Sequence, residues 1–112
     1  MRAKNVPGSY KSAVDFLNGR DSRTVSGIRA TKVTRIDEYR IALWYHNTPV
    51  VIWQDNGNTV LHTYDHYSVT TKQRMNQGMK DLGICVYQHK HEWYVMYRDG
   101  NYVTPFIEGM MV

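Results

Sequence analysis

A chain of 112 residues, 42% hydrophobic and 21% charged, has room for one hydrophobic core and is too apolar to be a disordered polymer. A formal charge of +4 leans toward anionic partners, although a modest positive excess also serves plain solubility. No apolar run reaches the ~18 residues of a membrane span, and the first ten residues lack the apolar stretch of a secretory signal, so a cytoplasmic setting without membrane contact is expected.

Residues 1–9 carry Pro7 and Gly8 without periodicity and read as a flexible or loosely docked arm, with Arg2 and Lys4 placed to follow a phosphate backbone. Residues 10–112 read as one domain. Ala13, Phe16 and Leu17 fall at helical spacing, with Ser12 as the cap and Gly19 as the stop. Residues 20–27 are polar and turn-rich, and they set Arg20 and Arg23 among hydroxyls as a candidate anion-binding loop.

Period-two patterning then takes over. Residues 28–36 and 39–45 should pair through a turn at Asp37-Glu38, with Ile41, Leu43 and Tyr45 on one face and Arg40, Ala42 and Trp44 on the other, which leaves Trp44 available for contact. His46-Asn47-Thr48-Pro49 is expected to interrupt the sheet before 50–53 resumes it. Asp55-Asn56-Gly57-Asn58 is a strong hairpin signal, and 59–64 is the returning strand.

The principal helix is expected over 70–83, with Thr70 and Gln73 at capping-box spacing and Gly83 at the end. Met75, Met79 and Leu82 form its buried stripe, and Lys72, Asn76 and Lys80 recur on a stripe facing water or a ligand. Gly78 marks either a close backbone approach or a kink. A last hairpin, 84–88 with 93–98, is turned by residues 89–92 and followed by an extended piece at 102–107. Cys85, the single cysteine, sits between Ile84 and Val86 and reads as a buried small hydrophobe. The fold class expected is α+β: one antiparallel sheet of hairpins with about five to seven strands, one main helix and a short N-terminal helix.

Chemistry concentrates at the start of the main helix. Its free N–H groups, the Thr70 and Thr71 hydroxyls, the Lys72 and Arg74 cations and the Asn76 amide suit a phosphate, with Arg20, Arg23 and a rim residue, His46, contributing. The plainer reading makes the threonines caps and the cations a solvated face. Trp44, Trp53, Tyr64, Tyr67, Trp93 and Tyr94 suit base stacking beside cations, and equally cross-strand packing. His62 with His66, and His89 with His91, are too few and too poorly spaced to predict a metal, and no cofactor fingerprint occurs. Ser22, His46 and Asp65 form no specific catalytic string, so an enzyme is not expected; a metal-assisted nuclease built on His46, His62 and His66 is the lesser alternative.

Four strings occur together: Phe16-Leu17-Asn18-Gly19-Arg20-Asp21-Ser22-Arg23, Tyr45-His46-Asn47-Thr48-Pro49-Val50, Thr70-Thr71-Lys72-Gln73-Arg74-Met75-Asn76 and Pro105-Phe106-Ile107-Glu108-Gly109-Met110. Together they resemble a family of small proteins of tailed bacteriophages, the third string being the most specific. Residues 63–68 and the His46 that follows Tyr45 depart from that family's pattern. The resemblance implies a viral origin, a shared fold and residence in the host cytoplasm or the virion, and it brings no reaction. The expected function is non-enzymatic binding of nucleic acid or a phosphorylated nucleotide. The alternative is a protein–protein module that inhibits a host factor or stabilises a viral assembly; a homo-oligomer is left open.

Overall fold

Ser9, three residues ahead of the expected cap, opens helix α1 (Tyr10–Leu17) by accepting the Ser12 N–H on its hydroxyl, and Asn18 ends it in the left-handed region at φ 49°. The computed structural model describes residues 6–97 and 100–112, so the readings made for Arg2, Lys4 and Arg98 lie outside the described residues. The arm is docked from Val6 onward: that side chain is 1% exposed and belongs to the core.

The segment expected as an anion-binding loop is instead an edge strand, β1 (Ser22–Thr24), paired antiparallel with β2 (Thr31–Arg35). Its hydroxyl side chains suit an exposed edge, and all three residues are exposed. β3 (Arg40–Tyr45), β4 (Thr48–Gln54) and β5 (Thr59–Leu61) continue the first sheet in chain order. His46 and Asn47 do not break it. They form a tight turn, with His46 at φ 55°, and Thr48 already pairs with Tyr45. The register slips between Leu43 and Trp44, which leaves Val50 as the extra residue of a bulge.

Helix α2 (Val69–Gly78) follows, then β6 (Ile84–His89), β7 (Glu92–Tyr97) and β8 (Tyr102–Pro105), a second antiparallel sheet. The turn between β6 and β7 is only Lys90-His91, both in the left-handed region at φ 52° and 69°. The chain then returns to the first sheet: the Gly109 N–H donates to the Leu61 carbonyl at 2.8 Å and the Val112 N–H to the Thr59 carbonyl at 2.7 Å, closing the β5 edge. The class is α+β, and the strands among the described residues number eight, divided between two sheets.

The division follows from α2. Val33, Ile41, Leu43, Val51, Trp53 and Leu61 point to one face of the first sheet, and α1 and α2 cover it. α2 also packs on β6, so it stands between the two sheets. Met75 and, just past the end of α2, Met79 are fully buried as expected, whereas Leu82, the third residue of the expected stripe, lies beyond the helix and is half-buried. Gly78 is a close approach: a Cβ there would meet Val51 Cγ2 at 3.0 Å and Leu43 Cδ2 at 3.1 Å, and Trp53 Nε1 donates to the Gly78 carbonyl at 2.8 Å. The helix ends at that point rather than at Gly83. Cys85 is half-buried rather than buried.

Candidate functional site

The N-cap of α2 is Ser68, whose hydroxyl accepts the Thr71 N–H at 3.1 Å and lies 2.9 Å from the Thr71 hydroxyl. Thr70 is therefore the second residue of the helix rather than its cap. Before Ser68, Tyr64 and Asp65 are both in the left-handed region, at φ 48° and 68°, so the chain turns sharply out of β5. Glu108 fixes that turn. Its carboxylate accepts the Thr63 hydroxyl at 2.6 Å, the Thr63 N–H at 2.9 Å and the Tyr64 N–H at 3.1 Å, and it meets His62 Nδ1 at 3.2 Å. Burial pushes the Glu108 carboxyl up, and these hydrogen bonds outweigh it, leaving the group below its ordinary value.

Between this loop and the turn after β3 lies a half-open cleft of about 650 Å³. One wall is Tyr45, His46, Asn47 and Thr48, the other runs from Asp65 to Ser68, and Thr71 lines the end at α2. Phenol, imidazole, amide and hydroxyl groups meet there, and a volume of this order falls within the roughly 300–1,000 Å³ of small-ligand sites.

One turn along from Thr71, Arg74 lies behind Tyr45. It is 8% exposed, its guanidinium carbon stands 5.6 Å from the centre of the Tyr45 ring, and it donates to Thr31 Oγ1 at 2.9 Å and Gln77 Oε1 at 3.2 Å. Every one of these partners is neutral, and among the described residues no carboxylate forms an ion pair with it. Burial pushes its pKa below the ordinary arginine value, and Tyr45 acts in the opposite sense; the group stays charged at neutral pH.

The eight residues singled out in the sequence do not converge. Two residues along a helix turn 200°, so Lys72 and Arg74 face opposite ways: Arg74 toward β2, and Lys72 toward the second sheet, where Nζ donates to Gln88 Oε1 at 3.1 Å and stands 5.5 Å over the Trp93 ring. Asn76, expected on a stripe facing water or a ligand, is half-buried and turned to β6. Its amide donates to the Val86 carbonyl at 3.0 Å and accepts the Val86 N–H at 2.6 Å, satisfying the outer edge of β6. Arg20 and Arg23 stay with α1 and β1, the latter donating to the Phe16 carbonyl at 2.7 Å with its guanidinium 4.4 Å over the Phe16 ring. His46 and Thr71 do line the cleft, and Thr70 is half-buried beside it.

Of the aromatics, Trp53 is core, and Trp44 is on the face of the first sheet turned away from the helices, under Lys32 Nζ at 5.5 Å. Sequence reasoning missed Glu108, Tyr45 as the partner of a buried cation, and Ser68, although Ser68 and Thr71 have N-cap spacing. Among the described residues no three His, Cys, Asp or Glu side chains are grouped to hold a metal; His62 is engaged by Glu108 and stacked on Tyr64 at 5.1 Å. No helix among the described residues is long and apolar enough to cross a membrane.

A family model described as Kyanoviridae Gp96 protein matches residues 11–112. No curated protein and no solved structure matches the chain. The chain belongs to that phage protein family, in line with the resemblance seen in its sequence; the match runs over the whole stretch and does not single out the Thr70-Thr71-Lys72 string.

Proposed function

We propose that this phage-family protein is a binding protein rather than an enzyme, and that its cleft at the start of α2 takes a phosphorylated nucleotide or nucleic-acid phosphate. The observation that carries this reading is the buried Arg74 with no carboxylate partner among the described residues. A desolvated cation held only by neutral groups leaves its charge uncompensated, and the cleft lined by Tyr45 and Thr71, on the far side of the Tyr45 ring, is an open volume in which an anion can supply the balance. The N–H groups at the start of α2 add partial positive charge on the same side. Tyr45 and Tyr67 offer ring faces and edges to a base, and His46, Asn47 and His66 offer directed hydrogen bonds.

The test is a calorimetric titration with deoxycytidine and with its 5′-monophosphate. The monophosphate should bind at least tenfold more tightly, and Arg74→Gln should remove that difference while leaving the weaker nucleoside binding in place. Equal affinity for the two in the unaltered protein would refute the phosphate assignment.

A second reading has its own observation. Tyr64, Tyr67, Val69 and Ile107 are 54%, 52%, 65% and 63% exposed, and they lie on the loop before α2, its first residue and the segment packed beside them. Such a group suits a protein partner, in keeping with a module that inhibits a host factor or stabilises a viral assembly. Ionic strength separates the two: phosphate binding weakens steeply with added salt, and an apolar contact does not.

A further inference from the structure

A second concavity, of about 390 Å³, opens on the other side of the loop before α2, between Gln88, His91 and Glu92 at the β6–β7 turn and Pro105 at the end of β8. Tyr67 lines both this hollow and the larger cleft, and it is the ridge between them. Its ring is 52% exposed and its plane is fixed: the Trp93 centroid lies 4.9 Å away at 82°, and the Phe106 centroid 6.2 Å away at 89°. A ring held by two perpendicular neighbours loses little further freedom when something stacks on it.

The charges are arranged around the same ridge. Arg74 is behind the cleft on the first-sheet side of α2, and Lys72 is beside the hollow on the second-sheet side, held by the Gln88 amide and the Trp93 ring. Neither cation has a carboxylate partner among the described residues. Each concavity also contains one acid, Asp65 in the first and Glu92 in the second. A carboxylate opposes a phosphate but accepts readily from the exocyclic amine of a base. Each side of Tyr67 thus carries one acid and one cation, a pattern suited to two successive nucleotides with an aromatic platform between them. A single nucleotide would leave one half unused.

We infer that the ligand of the cleft is a single-stranded nucleic acid of at least two nucleotides, running over the Tyr67 ring from the first concavity into the second. This rests on the phosphate reading above and extends it to a ligand class. DNA and RNA share the base faces and phosphates that the site addresses, so both are tested.

The experiment measures binding of the full chain to deoxycytidine monophosphate, to a hexamer of deoxycytidylate and to a hexamer of cytidylate. At least one hexamer should bind tenfold or more tightly than the monophosphate, and which one does identifies the natural class. Tyr67→Ala should cost about tenfold on the hexamer, the order expected for one stacked base, and should shrink the hexamer's advantage over the monophosphate. Tyr67→Phe, which keeps the ring and its perpendicular contacts, should restore the advantage; it guards against a merely structural effect of the alanine. Lys72→Gln should reduce the slope of hexamer affinity against salt by about 0.7, one phosphate contact on a single strand. If the monophosphate binds and no hexamer binds better, or if Tyr67→Ala leaves the hexamer unchanged, the inference is overturned while the cleft assignment stands. If neither monophosphate nor hexamer binds, and Tyr67→Ala instead abolishes contact with another polypeptide, both readings fall and the ridge is a protein interface.

Discussion

The two sides of α2 are built on different principles. Toward the first sheet the helix side is dry: Met75, Gly78 and the following Met79 are buried, and among the described residues its polar anchors are the Trp53 indole on the Gly78 carbonyl and the Arg74 guanidinium on Thr31. Toward the second sheet it is held by hydrogen bonds, with Asn76 gripping both backbone groups of Val86 and Lys72 reaching Gln88. The first side derives its strength from burial and tolerates no added volume; the second derives its geometry from direction and exposes more to water. The second sheet is therefore the part of the molecule that should open first, and it carries half of the proposed ligand path.

The largest effect should come from the dry side. Trp53→Ala removes a fully buried indole and its hydrogen bond, and should cost about 3–5 kcal/mol, read in a urea melt. Gly78→Val is expected to cost about 2–3 kcal/mol, because the added methyls are driven into Val51 and Leu43, which are themselves fully buried. Should Gly78→Val melt like the unaltered chain, α2 cannot lie as close to β4 as described.

On the hydrogen-bonded side the effect is smaller and local. Asn76→Ala leaves the Val86 N–H and carbonyl to find water, at a cost of about 1–3 kcal/mol, and hydrogen exchange should show it at Val86 and its β6–β7 neighbours before the first sheet responds. Uniform acceleration across both sheets would show instead that they open as one unit.

The smallest effect is at Glu108. Its carboxyl is held below its ordinary value in the folded chain, so the stability it contributes is fully present above the unfolded value of about 4.3 and is lost as pH falls through the lower folded value. The side chain is 35% exposed, so screening keeps the contribution under about 1 kcal/mol. Between neutral pH and acid, the protection of the Gly109 and Val112 amides relative to their intrinsic exchange rates should fall in the unaltered chain, and Glu108→Gln should flatten that dependence.

Much of the first sheet and the dry face of α2 was legible in the sequence. Period-two runs, the Asp55-Asn56-Gly57-Asn58 turn and the Met75, Met79 spacing report on burial, which is encoded residue by residue. Capping was less so: Ser9 and Ser68 compete with Ser12 and Thr70, and local spacing alone does not choose between neighbouring hydroxyls. The candidate site was read only in part. His46 and Thr71 reach the cleft, whereas Asn76 bonds β6, because an amide at a helix surface position has the same local pattern whether it meets solvent or a neighbouring strand.

By itself, then, the sequence determined the α+β class, most strand positions, the apolar stripe of α2 and the concentration of cations near its start, because each depends on short-range pattern and side-chain chemistry. Only the tertiary structure decided that the strands form two sheets with α2 between them, that Arg74 is buried behind Tyr45 while Lys72 faces the other way, and that Glu108 reaches back to the turn at Thr63 and Tyr64. Those outcomes depend on contacts between residues dozens of positions apart, where the competing partners differ little in local preference and the packing of the whole core selects among them.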